Sequence, residues 1–138
     1  MEKNTIKILL ANDHKVVRRG ICLAFEEFAP NIHIVEEAES FQELLIKLSN
    51  TEFDILMSDD IMDGENILTY LPGIKEQYPD LKIILNSIFT EEVPHLEKAK
   101  EWINGWLSFS SSPEDYVEAV ETVYNDEHYY FKGLNKNA

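Results

Sequence analysis

The chain has 138 residues, with 26 acidic against 12 basic residues and a formal net charge of −14. Its length suits one domain, and 44% hydrophobic with 28% charged residues argues against a disordered chain. The negative charge argues against direct binding of nucleic acid or an anionic membrane by this segment, because both would repel it. A single cysteine, Cys22, and the short N-terminal apolar run favour a cytoplasmic protein.

Short apolar runs of strand length alternate with stretches of helical periodicity along the chain. The helix at residues 67–78 is expected to break or kink at Pro72 and Gly73. A weaker helix is predicted from about residue 94 to residue 101, and the last helix has Ser112 as its N-cap. The five predicted strands are 6–11, 32–36, 55–58, 82–86 and 106–109.

This alternation predicts five successive strand–helix units. Such units imply parallel strands, right-handed crossovers and helices on both faces of the sheet. The predicted fold class is therefore α/β, a flavodoxin-like (βα)5 doubly wound sandwich around a central five-stranded parallel sheet. Ligands of such folds bind at the carboxyl ends of the strands.

Two aspartates are predicted to meet at that edge of the sheet. Asp13 follows the first strand and Asp59 follows the third, and these strands are expected to be neighbours. Two carboxylates, together with a backbone carbonyl and water, would suit a hard divalent cation such as Mg²⁺. Aspartates after strands also commonly cap helices, but the convergence of two loops at the ligand-binding edge favours a site.

Four parts of the chain, in register, carry a family resemblance. They are K-I-L-L-A-N-D-H at 7–14, D-I-L-M-S-D at 54–59, Y-P-D-L-K-I-I-L-N-S at 78–87, and G-W-L at 105–107 with S-P-E at 112–114. The chain thereby resembles the receiver domain of bacterial two-component response regulators. It looks closest to the branch that carries a helix-turn-helix output domain.

The resemblance implies a role for individual residues. Asp59 falls at the phosphoacceptor, whose carboxylate attacks a phosphoryl donor. Asp13 falls at the acid that binds Mg²⁺ directly, and Asp59 and the backbone carbonyl of Ile61 fall at the other ligands. Ser87 falls at the hydroxyl that hydrogen-bonds the phosphoryl group, and Trp106 at the switch aromatic.

Several positions depart from the family pattern. Asn12 replaces the first acidic residue, so it would bind a metal weakly or through water. Phe109 replaces the lysine that pairs with the phosphoryl oxygens. Two unit charges about 5 Å apart interact by roughly 3 kcal/mol at an effective dielectric of 20, so this loss would slow phosphoryl transfer or weaken its coupling about 100-fold. Asp60, Asp63 and Ile67 stand where an apolar residue, a proline and a glycine are usual, and both aspartates are expected to be solvated.

Two further features lie outside the predicted site. Lys15, Arg18 and Arg19 form a basic patch on the first helix, which either orients a partner kinase or is an ordinary exposed helix face. Residues 1–131 are predicted to form the receiver domain and 132–138 a C-terminal tail or the start of a linker. The chain is then either a single-domain regulator or a fragment whose output domain, if one exists, would bind DNA.

Two functions remain open from the sequence. The first is a working receiver in a phosphorelay, which accepts a phosphoryl group on Asp59 from a sensor histidine kinase or phosphotransfer protein, with Mg²⁺ and reduced competence. The second is a degenerate receiver that serves as a phosphorylation-independent interaction or dimerisation module. An enzyme with its own substrate is not expected, because related phosphatases need an acid two positions after the nucleophile, where this chain has Ile61.

Overall fold

The computed structural model of the chain describes residues 4–88 and 94–130, and its strands and helices alternate in the predicted order. The helices are α1 (Lys15–Phe28), α2 (Phe41–Asn50), α3 (Leu71–Gln77), α4 (Pro94–Ala99) and α5 (Pro113–Tyr124), with a 3₁₀ turn at Ile67–Thr69. The strands are β1 (Ile6–Ala11), β2 (Ile32–Ala38), β3 (Ile55–Asp59), β4 (Ile61–Met62), β5 (Glu65–Asn66), β6 (Lys82–Ser87), β7 (Gly105–Ser108) and β8 (Tyr129–Tyr130). The predicted tail, 132–138, lies outside the described residues.

The main sheet is parallel and has the strand order β2-β1-β3-β6-β7-β8. This order confirms the predicted doubly wound fold, because the chain winds outward from β1 in both directions. The sequence predicts five strands in this sheet, whereas the structure has a sixth. That strand, β8, has only two residues and is too short to be recognised as an apolar run. A separate antiparallel hairpin is formed by β4 and β5.

Both faces of the main sheet are covered by helices, α1 and α5 on one face and α2 and α3 on the other. Successive strand residues divide between the faces, since their side chains point in opposite directions. The α1/α5 face carries Ile8, Leu10, Ile55, Met57, Ile84 and Leu107, and the α2/α3 face carries Leu9, Leu56, Ile83, Leu85 and Trp106. A residue at a strand end can therefore be buried whichever way it points.

The helices begin largely where their capping residues predict. Ser112 is the N-cap of α5 and forms a reciprocal capping box with Asp115. The break predicted in the third helix is confirmed, but it lies before the proline. The 3₁₀ turn ends ahead of Leu71, and Pro72 stands in the first turn of α3, where no backbone donor is needed. Within the described ranges, no helix has both the length and the apolar character to cross a membrane.

Two of the apolar residues that recur with helical period in the stretches 17–28 and 41–48 are not buried. Phe28, the last residue of α1, is 47% exposed, and Leu45 of α2 is 41% exposed. Within α1, Ile21 and Phe25 lie in the core. Cys22 on the same helix is half-buried and unpaired.

Candidate functional site

Asp59 lies at the carboxyl end of β3 and is almost completely enclosed, with 4% of its surface exposed. Its Oδ2 accepts a hydrogen bond from Asn12 Nδ2 at 2.8 Å, across from the neighbouring β1. Asn12 is itself buried, and its Oδ1 accepts from the backbone N–H of His14 at 2.7 Å, which forms an Asx turn into α1. Asn12 therefore ties the Asp59 carboxyl to the β1–α1 loop.

Burial changes the protonation of Asp59. Loss of solvent around the carboxyl raises its pKa from 3.8 to about 7, and the nearby charges of Asp13 and Asp60 act in the same direction. The hydrogen bond from Asn12 opposes this shift and does not cancel it. Near neutral pH a large fraction of Asp59 is therefore protonated and carries no charge for nucleophilic attack or metal binding.

Asp13 lies in the loop after β1 and is bonded through both of its oxygens. Its Oδ1 lies 2.7 Å from Nδ1 of His14, and its Oδ2 accepts from the backbone N–H of Asp63 at 3.1 Å. Asp63 and Gly64 connect β4 to β5 with φ angles of 50° and 76°, the left-handed pair of a tight hairpin turn. Proline cannot adopt a φ of 50°, so the proline that is usual at position 63 in the family would not fit this turn. Asp63 is exposed, as predicted.

Asp60 is buried, so the prediction of a solvated loop carboxylate is wrong. It is 2% exposed, and its backbone continues the sheet by donating to the Asn86 carbonyl at 3.2 Å. Its own carbonyl accepts from the N–H of Ile67 at 2.8 Å, which closes the hairpin segment over it. Asp60 does point away from the face that Asp59 occupies, but helices cover both faces of the sheet. Its Oδ2 accepts from the Ser87 hydroxyl at 3.1 Å.

Ser87 and Phe109 lie side by side at the ends of β6 and β7. The backbone N–H of Phe109 donates to the Ser87 carbonyl at 2.8 Å. Ser87 is completely buried, whereas the Phe109 ring is 39% exposed. Trp106 is completely buried, and Nζ of Lys100 lies 5.9 Å from the centre of its ring system. The position of the expected lysine is thus occupied by a partly solvated apolar ring.

Arg18 is buried, so its predicted place in an exposed basic patch is wrong. Its side chain is 7% exposed, and one terminal nitrogen donates to the Asn12 carbonyl at 2.6 Å. Its Nε donates to Glu37 at 2.8 Å, and its other terminal nitrogen donates to Glu39 at 2.7 Å. Arg19 is exposed, as predicted for a member of the basic patch. Arg18 instead fixes the backbone of the loop that carries Asn12.

We expect Arg18→Ala to lower the free energy of unfolding by about 2 kcal/mol, because the buried Asn12 carbonyl loses its donor. The matched control is Arg19→Ala on the adjacent exposed position, which should change stability by less than about 0.5 kcal/mol. Urea unfolding of the two variants measures both values. Equal losses would contradict the role assigned to Arg18.

Asn86 and Tyr116 also border the site. The sequence places Asn86 at this edge but predicts no role for it, and it does not identify Tyr116. Asn86 is the β6 residue paired with Asp59 of β3, and its Nδ2 donates to the Tyr116 hydroxyl at 2.6 Å. Both side chains are buried, and desolvation raises the pKa of Tyr116 to about 12. Two sequence signals could have indicated these residues: an asparagine within an apolar strand, and a tyrosine on the apolar face of the last helix.

The family follows from comparison with known proteins. The model of the response regulator receiver domain matches residues 8–121. The chain belongs to this family. The receiver resembles the oxygen regulatory protein NreC of Staphylococcus epidermidis RP62A, with 31% identity over 125 residues, and the response regulator UvrY of Escherichia coli K12, with 28% over 124. Each alignment covers 90% of this chain, and the chain spans 57% of NreC and 56% of UvrY.

Solved structures confirm the receiver fold. The isolated receiver domain of RcsB from Salmonella enterica serovar Typhimurium, determined with the phosphomimetic BeF3⁻, superposes with a TM-score of 0.84 at 22% identity. That comparison covers 96% of this chain and 98% of the other. A LuxR-family response regulator from Aurantimonas sp. SI85-9A1 gives a TM-score of 0.81 at 23% identity over 91% of this chain and 89% of that one. The predicted family and fold are confirmed.

Receiver domains typically bind Mg²⁺ at the phosphorylation site. In the described part of this chain, no three His, Cys, Asp or Glu side chains are placed to hold a metal ion. Both Asp13 oxygens are already hydrogen-bonded, and Asn12 turns a donor N–H rather than an oxygen toward Asp59. As arranged, these side chains do not form a preassembled site for Mg²⁺. Its binding by Asp13, Asp59 and the Ile61 carbonyl stays a prediction.

Proposed function

We propose that this receiver acts as a phosphorylation-independent interaction module in two-component signal transduction. The state of Asp59 carries the proposal. This carboxyl is 4% exposed, bonded to Asn12 at 2.8 Å and shifted to a pKa of about 7. A phosphoacceptor has to be ionised and accessible to its donor. The raised pKa opposes the first requirement, and the burial of the carboxyl opposes the second.

The surroundings of Asp59 support the same proposal. Phosphoryl transfer depends on positioning and on cations that neutralise the charge of the transferred group. Phe109 stands at the place of the lysine and supplies no charge. Asp60 adds an acid beside the pocket, and its charge raises the pKa of Asp59. A phosphoryl group brought to Asp59 would meet repulsion where the family has attraction.

Exposed apolar side chains at the same edge of the sheet as Asp59 support binding of a protein. Ile61, Ile88 and Phe109 are 37%, 61% and 39% exposed. In the register of the sheet they follow the ends of three adjacent strands, one residue beyond Asp60, Ser87 and Ser108. We propose that a protein of the same cytoplasmic signalling pathway contacts this edge, either a histidine kinase, a phosphotransfer protein or a second copy of the chain.

A working receiver of reduced competence is the second candidate. It is favoured by the proximity of Asp13 to Asp59, since the charge of Asp13 acts on the pKa of Asp59. In that case a divalent cation would draw both carboxylates into the ionised form and displace the Asn12 hydrogen bond. Phosphorylation would then be slow and dependent on the cation.

Treatment with Mg²⁺ and acetyl phosphate separates the two candidates. We expect intact mass spectrometry to show no phosphoryl increment on the chain, while a competent receiver treated in parallel is labelled. An increment that disappears in Asp59→Asn would contradict the proposal and establish the second candidate. An increment that persists in Asp59→Asn would place the label elsewhere and leave Asp59 unreactive.

A further inference from the structure

Asp60, Ser87 and Trp106 lie on the same face of the sheet. Asp60 continues β3 beyond Asp59, and side-chain alternation places it on the side of Leu56, toward α2 and α3. Ser87 of β6 lies two residues after Leu85, and Leu85 pairs directly with Trp106 of β7. All three side chains are at least 98% buried. They form a line from the end of β3 across β6 to β7.

The Ser87 hydroxyl is the central member of this line. A serine hydroxyl has one proton to donate, and here it is directed to Oδ2 of Asp60 at 3.1 Å. By its position in the family, Ser87 would donate that proton to the phosphoryl group on Asp59. Carboxylate and phosphoryl oxygens are acceptors of the same anionic kind, so the two compete for one donor. The chain thus contains its own acceptor for the hydroxyl that reports phosphorylation.

Trp106 is the third member of this line and is paired with Leu85, two residues before Ser87. It is completely buried in the core cluster on the α2/α3 face. Nζ of Lys100 lies 5.9 Å from the centre of its ring system and 5.2 Å from the centre of the Tyr130 ring. A large ring enclosed in this way moves only if a neighbour moves, because protein interiors are close-packed. On this face Ser87 is the diagonal neighbour of Trp106, two residues beyond its strand partner Leu85, and this register links the position of the ring to that of Ser87.

We propose that Asp60 is a positioning residue that replaces the phosphoryl group from within the fold: it holds the Ser87 hydroxyl and thereby keeps Trp106 in its buried position. This inference rests on the proposed phosphorylation-independent function. It explains how a receiver with an enclosed Asp59 presents one fixed surface around β6, α4 and β7. It also gives a reason for an acid at a position where the family has an apolar residue.

The burial of Trp106 is the readout for this proposal. The chain is labelled with 5-fluorotryptophan, and Trp102→Phe assigns the two ¹⁹F resonances of Trp102 and Trp106. Asp60→Leu removes the acceptor of the Ser87 hydroxyl and places an apolar side chain in a buried site. We expect this variant to shift and broaden the Trp106 resonance. We also expect acrylamide to quench the fluorescence of Trp106 severalfold more strongly than in the unaltered chain. Ser87→Ala should have the same effect, and the double variant should show no more than either single one.

Two further variants separate positioning from general packing. Asp60→Asn keeps an oxygen acceptor for Ser87, so it should retain the Trp106 signal of the unaltered chain. Asp63→Asn removes an exposed acid three residues away and should leave the signal unchanged. An unchanged Trp106 resonance in both Asp60→Leu and Ser87→Ala would overturn the inference. If Asp60→Leu does not fold, Ser87→Ala decides alone.

These results are independent of those on Asp59 chemistry. Labelling of Asp59 by acetyl phosphate would contradict the proposed function whatever the Trp106 resonance does. A Trp106 resonance that does not change in Asp60→Leu and Ser87→Ala would overturn only the positioning role of Asp60. If Asp59 is labelled and Asp60→Leu still releases Trp106, Asp60 is instead a competitor that the phosphoryl group has to displace.

Discussion

Phe109→Lys is expected to bring phosphorylation of Asp59 into the measurable range, with a rate about 100-fold above that of the unaltered chain. A lysine ammonium about 5 Å from the transferred group would stabilise it by roughly 3 kcal/mol at an effective dielectric of 20, which corresponds to this factor. The same charge would favour the ionised form of Asp59. The substitution should cost little stability, because Phe109 is 39% exposed and lies at a strand end.

The comparison that isolates charge is Phe109→Met, which provides similar length without an ammonium group. Intact mass after treatment with Mg²⁺ and acetyl phosphate gives the rate for each variant, and Asp59→Asn in the lysine background checks the site of labelling. Equal rates for the lysine and methionine variants would show that the absent lysine is not what limits the chemistry. Adding Asn12→Asp should raise the rate further, since it replaces a donor to Asp59 with a second acid for the metal.

Asp59→Asn is expected to stabilise the chain at alkaline pH and to have little effect in acid. The folded pKa of Asp59 is about 7 and the unfolded value is 3.8. Between these values the unfolded chain releases a proton that the folded chain keeps, so stability falls as pH rises through this window. Above pH 7 the full penalty applies, about 4 kcal/mol for a shift of roughly three pKa units. Asparagine carries no such penalty.

Urea unfolding in metal-free buffer from pH 4 to pH 8.5 tests this linkage. The stability difference between Asp59→Asn and the unaltered chain should grow from near zero at the acid end to a few kcal/mol at the alkaline end. The exposed Asp63→Asn is the control for the loss of one acid. A difference that stays constant with pH would mean that Asp59 titrates in the folded chain as it does in the unfolded one.

The fold follows from the sequence because its main signals are local. Most of the long strands contain an apolar run, and Ser112 with Pro113 marks the start of the last helix. The sixth strand of the main sheet, β8, is not predicted because it has two residues and is defined by its pairing with β7 rather than by a pattern of its own. Phe28 and Leu45 match the period of their helices but lie at the edge of the buried face, where the pattern does not resolve exposure.

The site is only partly predictable because burial of a polar group depends on distant contacts. Asp59 follows from its place after an apolar strand. Asp60 looks like a loop residue until the hairpin segment closes over it and Ser87, distant in sequence, supplies its hydrogen bond. Arg18 looks like part of an exposed patch until β2 and the residues after it bring Glu37 and Glu39 to its guanidinium. These partners are set by tertiary structure, so residue spacing alone does not reveal them.

The short strand β8 has a consequence for how copies of this chain associate. Tyr129 and Tyr130 pair with Gly105 and Trp106 and so occupy the hydrogen-bonding edge of β7. An exposed parallel edge would act as a template for strand addition and aggregation. Here a second molecule would have to displace the two tyrosines before it could pair with Gly105 and Trp106. Strand addition at these two residues of β7 therefore competes with a pairing that the chain already makes within itself.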